Sequence, residues 1–157
     1  MGIEIPQNKF LILDGAMGTV LQQRGLSPQG RPELLNLTEP ELLDSVYKEY
    51  IAAGSQVIYA NTFGANGLKL AKTGHSVEEV VGAAIAVAKR AAAGTGTLVA
   101  LDVGPLGELL EPMGTLSFER AYDLFREMAE AGAKAGADLI VVETMTDLYE
   151  AKAALRA

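Results

Sequence analysis

Four short apolar runs in this chain each end in residues able to do polar chemistry. Phe10–Leu13 is followed by Asp14, Val57–Ala60 by Asn61 and Thr62, Thr97–Leu101 by Asp102, and Leu139–Val142 by Glu143 and Thr144. Carboxylates such as Asp14 and Glu143 suit an ammonium group. The turn Gly15-Ala16-Met17-Gly18 brackets two residues with glycines, which frees backbone N–H groups to face a carboxylate or phosphate. An amino acid carries both an ammonium and a carboxylate, so a zwitterionic ligand is the economical reading. A phosphorylated ligand would call for basic help, and the nearest basic residue, Arg24, is poorly placed for it.

Each of these residues also has a plainer role. Asp14 caps a tight turn. Asp102, before Val103-Gly104-Pro105, is either a second acceptor for the ligand or a clamp on its own loop. Asn61 and Thr62 either meet the ligand or orient the Phe63-Gly64 turn, and Asn66 reads as a turn residue. The single histidine, His75, lies between Gly74 and Ser76 beside a helix start and reads as a surface residue. The chain has no cysteine, which leaves no disulfide, no thiolate nucleophile and no zinc-ligand spacing. Carboxylate-only Mg²⁺ binding by Asp14, Asp102 and Glu143 has no support in spacing. Met17, Met113 and Met145 fall in the same loops, where they line an apolar slot or simply fill space. Tyr47, Tyr50 and Tyr122 lie on apolar faces and read as core.

Elements that place these residues follow from periodicity. Met1–Lys9 is a polar lead-in and 27–32 a proline-containing loop. A short helix is expected over about 17–24, and a second opens at Thr38, with Glu41 at capping-box spacing and Pro40 in the first turn. Ser76 with Glu79 opens a helix to about Ala92, Ser117 opens one closed by Gly136, and Asp147 opens a last one. The strands are apolar on both faces, as covered parallel strands must be. The order is strand–helix four times over. Ala53–Thr62 is echoed 82 positions later by Ala135–Thr144, weakly indicating repeated βα pairs. Two architectures fit: an open four-stranded α/β sheet, or four parallel βα units forming the first half of a (βα)8 TIM barrel over residues 1–157. The stop at Ala157 within a helix favours the half barrel. On that reading its exposed edges are closed by self-association, as a homodimer or higher oligomer, or by a missing C-terminal half.

Length and charge narrow the class. The chain's 157 residues suit one domain with one core, and 49% hydrophobic against 21% charged residues fits a folded protein. A net charge of −7 argues against nucleic acid or an anionic membrane as partner. No apolar run has transmembrane length and no leader is evident, so a cytoplasmic location is the default.

Leu13-Asp14-Gly15-Ala16-Met17-Gly18-Thr19, Asn61-Thr62-Phe63-Gly64-Ala65-Asn66 and Asp102-Val103-Gly104-Pro105-Leu106-Gly107-Glu108 resemble the homocysteine S-methyltransferase family. Glu33-Leu34-Leu35-Asn36-Leu37 and Glu143-Thr144-Met145 fit the same pattern, and the likeness runs over about 10–155. It looks closest to the N-terminal homocysteine-binding module of cobalamin-dependent methionine synthase. The resemblance implies a (βα)8 barrel of roughly 300 residues. It also implies methyl transfer to the thiol of homocysteine, giving methionine. Substrate-binding positions carried over are Asp14, Gly15, Ala16, Met17, Asn61, Thr62, Asp102, Glu143 and Thr144. Glu143 and the turn after Asp14 would hold the amino and carboxylate ends of homocysteine. The family's zinc is held by three cysteines on later strands, and its methyl donor by a cobalamin or methyltetrahydrofolate module, or by a small sulfonium or betaine. Without cysteine, these residues by themselves are expected to be an inactive fragment, a non-catalytic self-assembling half barrel or an amino-acid binding module.

Overall fold

The computed structural model describes residues 10–27 and 30–157. The expected lead-in Met1–Lys9 and part of the 27–32 loop lie outside the described residues. Three parallel strands form one open sheet in the order β1-β2-β3: β1 Val57–Tyr59, β2 Leu98–Val103 and β3 Leu139–Val142. Their registers pair Tyr59 with Ala100 and Asp102 with Val141. The helices are α1 Met17–Gln23, α2 Leu35–Thr38, α3 Pro40–Ala52, α4 Gly67–Leu70, α5 Val77–Ala92, α6 Phe118–Ala135 and α7 Leu148–Arg156, with a 3-10 turn at Pro32–Leu34.

The expected half barrel of four βα units is corrected here to a small α/β domain on an open three-stranded sheet. The first expected strand is the one that fails. Phe10–Leu13 runs beside β1, where Gln56 N–H donates to Ile12 O at 2.8 Å and Asp14 N–H to Val57 O at 3.0 Å. It forms only one isolated bridge, Leu13 to Val57. Among the described residues nothing closes over it, and Phe10 is 93% exposed, Ile12 50% and Leu13 44%. An apolar run reads as a buried strand only when layers close over both faces, and here one face stays open. Three strands also cannot meet edge to edge, because closure needs a fixed tilt and stagger around a much larger ring.

Helix starts follow their caps. Ser76 Oγ accepts the Glu79 N–H at 3.1 Å, Ser117 Oγ the Arg120 N–H at 3.2 Å, and Asp147 Oδ1 the Tyr149 N–H at 2.7 Å. Gly136 ends α6 at φ 88°, a left-handed position that glycine takes without strain. Thr38 is different. It ends α2 instead of opening α3, and its hydroxyl donates back to Leu34 O at 3.2 Å. α3 starts at Pro40, whose missing N–H leaves no bond to continue the preceding turn.

Side chains alternate across the sheet. Ile58 in β1 and Val99, Leu101 and Val103 in β2 join the apolar core formed with the helices. α5 packs between α3 and α6, and α6 packs on α7. α6 approaches β2 so closely that a Cβ at Gly132 would lie 2.7 Å from Leu101 Cδ2. Tyr59, Ala100 and Asp102 occupy the opposite face, by the same alternation. Tyr59 and Asp102 on that face line a cavity.

Leu101 is fully buried at the centre of this packing. Leu101→Ala is expected to lower unfolding free energy by about 2–5 kcal/mol, measured by urea denaturation. A loss below about 1 kcal/mol would mean the α6–β2 contact is not the centre of the core.

Candidate functional site

Asp14, Glu33, Asp102 and Glu143 line one cavity of about 470 Å³, together with Gly15, Ala16, Met17, Gly18, Tyr59, Asn61 and Phe63. Each arrives by its own route. Asp14 follows the segment beside β1, and its Oδ2 accepts the Tyr59 N–H at 2.9 Å. That bond turns the carboxylate toward the end of β1. Glu33 comes from the 3-10 turn and presses its carboxylate against Gly64, where an added Cβ would collide with Oε1. Asp102 lies within β2, not beyond its end as the sequence reading placed it, and Glu143 follows β3 directly.

Asn61 and Thr62 have largely structural work. Asn61 N–H donates to Tyr47 Oη at 2.8 Å, and its side-chain amide donates to Pro32 O at 2.6 Å. Asn36 Nδ2 donates to Asn61 O at 2.8 Å. These bonds moor the 3-10 turn, and Glu33 with it, to the end of β1. Thr62 Oγ1 donates to Asp102 O at 2.8 Å and accepts the Asp102 N–H at 3.0 Å. Thr62 is fully buried and does not reach the cavity lining. Thr144 does not reach it either. Its φ of 58° is left-handed and strained for a β-branched residue, and it marks the sharp bend just after Glu143.

The structure therefore gathers Asp14, Gly15, Ala16, Met17, Asn61, Asp102 and Glu143 around one space, and leaves Thr62 and Thr144 behind it. Sequence reasoning missed Glu33, Tyr59 and Phe63 as lining residues. Tyr59 had a usable signal, because it shares the period-two face of Asp102 through its register with Ala100. Phe63 is held by Gly104, where a Cβ would lie 2.5 Å from the ring, and by Lys69 Nζ, 5.4 Å from the ring centroid and 2.9 Å from Pro105 O. Asn66, expected to be a turn residue, caps α4 by accepting the Leu68 and Lys69 N–H groups.

The cavity is one-signed. Among the described residues no lysine, arginine or histidine lines it. Burial pushes the Asp14 carboxyl up to about 6, opposed by its bond from Tyr59 N–H and helped by the Glu143 charge. Burial, then the charges of Glu143, Asp14 and Glu33, pushes Asp102 up to about 8. Burial, then the charges of Glu143, Asp102 and Asp14, raises the Tyr59 phenol, which stays protonated. The space therefore accepts a cationic group most readily. Ala16, Met17 and Gly18 at the start of α1 also line it, and α1 has no side-chain cap on its first N–H groups.

The metal expected of the family does not fit these residues. The chain has no cysteine, and the described residues contain no group of three or more His, Cys, Asp or Glu placed to hold a metal ion. These residues build no active zinc centre, so none of the chemistry below runs through one.

Residues 11–157 match the homocysteine S-methyltransferase family. The chain is 32% identical to methionine synthase of Mycobacterium tuberculosis and 31% to that of Mycobacterium leprae, in each case over 98% of this chain and 14% of the relative. Among solved structures it resembles the homocysteine methyltransferase MmuM from Escherichia coli. The oxidised form matches with TM-score 0.81 at 29% identity over 94% of this chain and 57% of that one. The metallated form matches with TM-score 0.79 at 28% identity over 93% and 58%. The chain thus spans a small part of the curated relatives and somewhat over half of the E. coli enzyme.

These structures correct three expectations. The likeness to the module of a cobalamin-dependent methionine synthase gives way to one with a homocysteine methyltransferase that aligns over nearly the whole chain. The expected cobalamin and methyltetrahydrofolate fall with it, since that enzyme's structures are described as oxidised, metallated and apo forms. The expectation of an inactive fragment, with its alternatives of a half barrel or a binding module, is corrected to a chain of which 94% aligns with a homocysteine methyltransferase, covering 57% of that enzyme. With the family match covering nearly its whole length, this chain belongs to the homocysteine S-methyltransferase family.

Proposed function

We propose that the cavity is the homocysteine-binding side of a homocysteine S-methyltransferase, which transfers a methyl group to the homocysteine thiol. The observation that supports this reading is the convergence of Asp14, Asp102 and Glu143 on a space that also meets the Gly15–Met17 turn. In this reading Asp14 and Glu143 hold the ammonium. The turn amides of Gly15, Ala16 and Met17 take the carboxylate, with Asn61 beside them. Met17 and Phe63 supply apolar wall for the side chain. Thr62 and Thr144 act from behind, by fixing Asp102 and by bending the chain after Glu143.

Self-association belongs to the same proposal. Among the described residues β3 is an edge strand, Ile140 is 48% exposed, and the exposed Phe10–Leu13 segment lies beside β1. Unpaired parallel edges with exposed apolar side chains favour pairing with another copy.

Calorimetric titration with homocysteine tests the site. Glu143→Ala is expected to weaken binding at least about tenfold, a charge-assisted hydrogen bond being worth roughly 1.5–3 kcal/mol. Equal affinity of the variant and the parent protein would remove Glu143 from the pocket's working residues. Light scattering over a concentration series is expected to show mass rising above the monomer, and a constant monomer mass would refute self-association.

The buried carboxyls also predict a pH dependence of stability. Both Asp14 and Asp102 keep their protons to higher pH folded than at their ordinary value of 3.8. Between that value and about 8 the folded chain binds more protons than the unfolded chain. Their contribution to stability is therefore full below 3.8 and is lost as pH rises toward about 8. Asp102→Asn is expected to flatten that decline, so the variant gains on the parent between pH 5 and pH 8 in urea denaturation. Parallel declines in both proteins would show that Asp102 does not carry the effect.

A further inference from the structure

Asp102 is only 8% exposed, yet its Oδ1 is buried without a hydrogen-bond partner. A buried carboxylate oxygen normally takes one or more donors, because an ionised group without them loses its hydration for nothing. The backbone on either side is spoken for, with the N–H and C=O of Asp102 both bonded to Thr62 Oγ1. The side chain alone is left over, and it faces the cavity.

Among the described residues the charged groups that line the cavity with it are all carboxylates. Asp14 faces it from the segment before α1, Glu33 from the 3-10 turn, and Glu143 from the end of β3. Tyr59 of β1 and Tyr47 of α3 bring neutral phenols. Lys69 of α4 is turned away, bonded to Pro105 O and stacked over Phe63 outside the lining. Carboxylates that crowd a partly buried space without a cation resist ionising together, and the most buried one, Asp102, keeps its proton.

We propose that binding here is proton-coupled: a ligand ammonium entering beside Asp102 displaces the proton that Asp102 carries in the empty cavity. This deepens the amino-acid reading above and rests on it. The ammonium arrives already protonated, the O–H bond of the Asp102 carboxyl breaks, and the proton leaves to water. The carboxylate then pairs with the ammonium, which supplies the cation the lining lacks. Affinity for the amino acid consequently rises with pH across the neutral range, and each ligand bound lowers the proton count by about one.

Methionine is the probe, because its thioether carries no proton that the assay would confuse with that of Asp102. Titrations at pH 7 in phosphate and in imidazole, which differ in ionisation enthalpy, are expected to give heats that differ by release of about one proton per methionine. Asp102→Asn is expected to bind with equal heats in the two buffers. Equal heats in the parent protein, or undiminished release from the variant, overturn the coupling while leaving the amino-acid site standing. Absence of binding by both methionine and homocysteine overturns the site and the coupling together. Carbon NMR of the Asp102 carboxyl in the parent protein checks the same point should the variant not fold. It is expected to stay protonated to near-neutral pH when empty and to ionise when methionine is added. A carboxyl that ionises in the ordinary acid range in the empty protein overturns the proposal.

Discussion

The reciprocal pair of hydrogen bonds between Thr62 Oγ1 and the Asp102 backbone holds the site together. It ties the end of β1 to β2 at the point where the ladder between them has stopped. A backbone N–H and C=O that would otherwise look for partners in the cavity are satisfied from the side. The Asp102 side chain is then left facing the cavity, by the alternation of the strand. Asn61, one residue earlier, does the same for the 3-10 turn through Tyr47, Pro32 and Asn36. Two adjacent polar residues, both absent from direct charge work, therefore set where Asp102 and Glu33 can stand.

That placement has an electrostatic consequence. Four carboxylates meet in a lining that contains no basic side chain among the described residues. Low-dielectric surroundings strengthen their mutual repulsion, and burial withholds the water that would relieve it. Among the described residues Asp14 accepts a compensating bond, from the Tyr59 N–H, while Asp102 meets the repulsion by holding its proton to higher pH. The remaining deficit is of the kind that a cationic group removes. Functional sites are where proteins keep such unfavourable arrangements.

Much of the site was legible as a list of residues. Asp14, Asp102 and Glu143 announce themselves because each interrupts or follows an apolar run, and a polar residue there has no core to join. The caps at Ser76, Ser117 and Asp147 were equally readable, since their chemistry is local. Thr38 misled, because Pro40 two residues later moves the helix start beyond the reach of its hydroxyl. Phe10–Leu13 misled for another reason. Its apolarity states that it belongs against something, and cannot state whether a second layer covers it.

The chain's own residues determined the local events: where helices begin and end, which strands are apolar, which carboxylates lie near strand ends, and that no thiolate is available. These depend on neighbours a few positions away. Tertiary structure decided the rest. It separated Thr62 and Thr144 from the cavity and brought in Glu33, Tyr59 and Phe63. It left the sheet open at three strands, and it buried Asp102 without a partner. Burial and repulsion act through space between groups up to 129 positions apart, Asp14 and Glu143 among them, and no pattern along the chain encodes that distance.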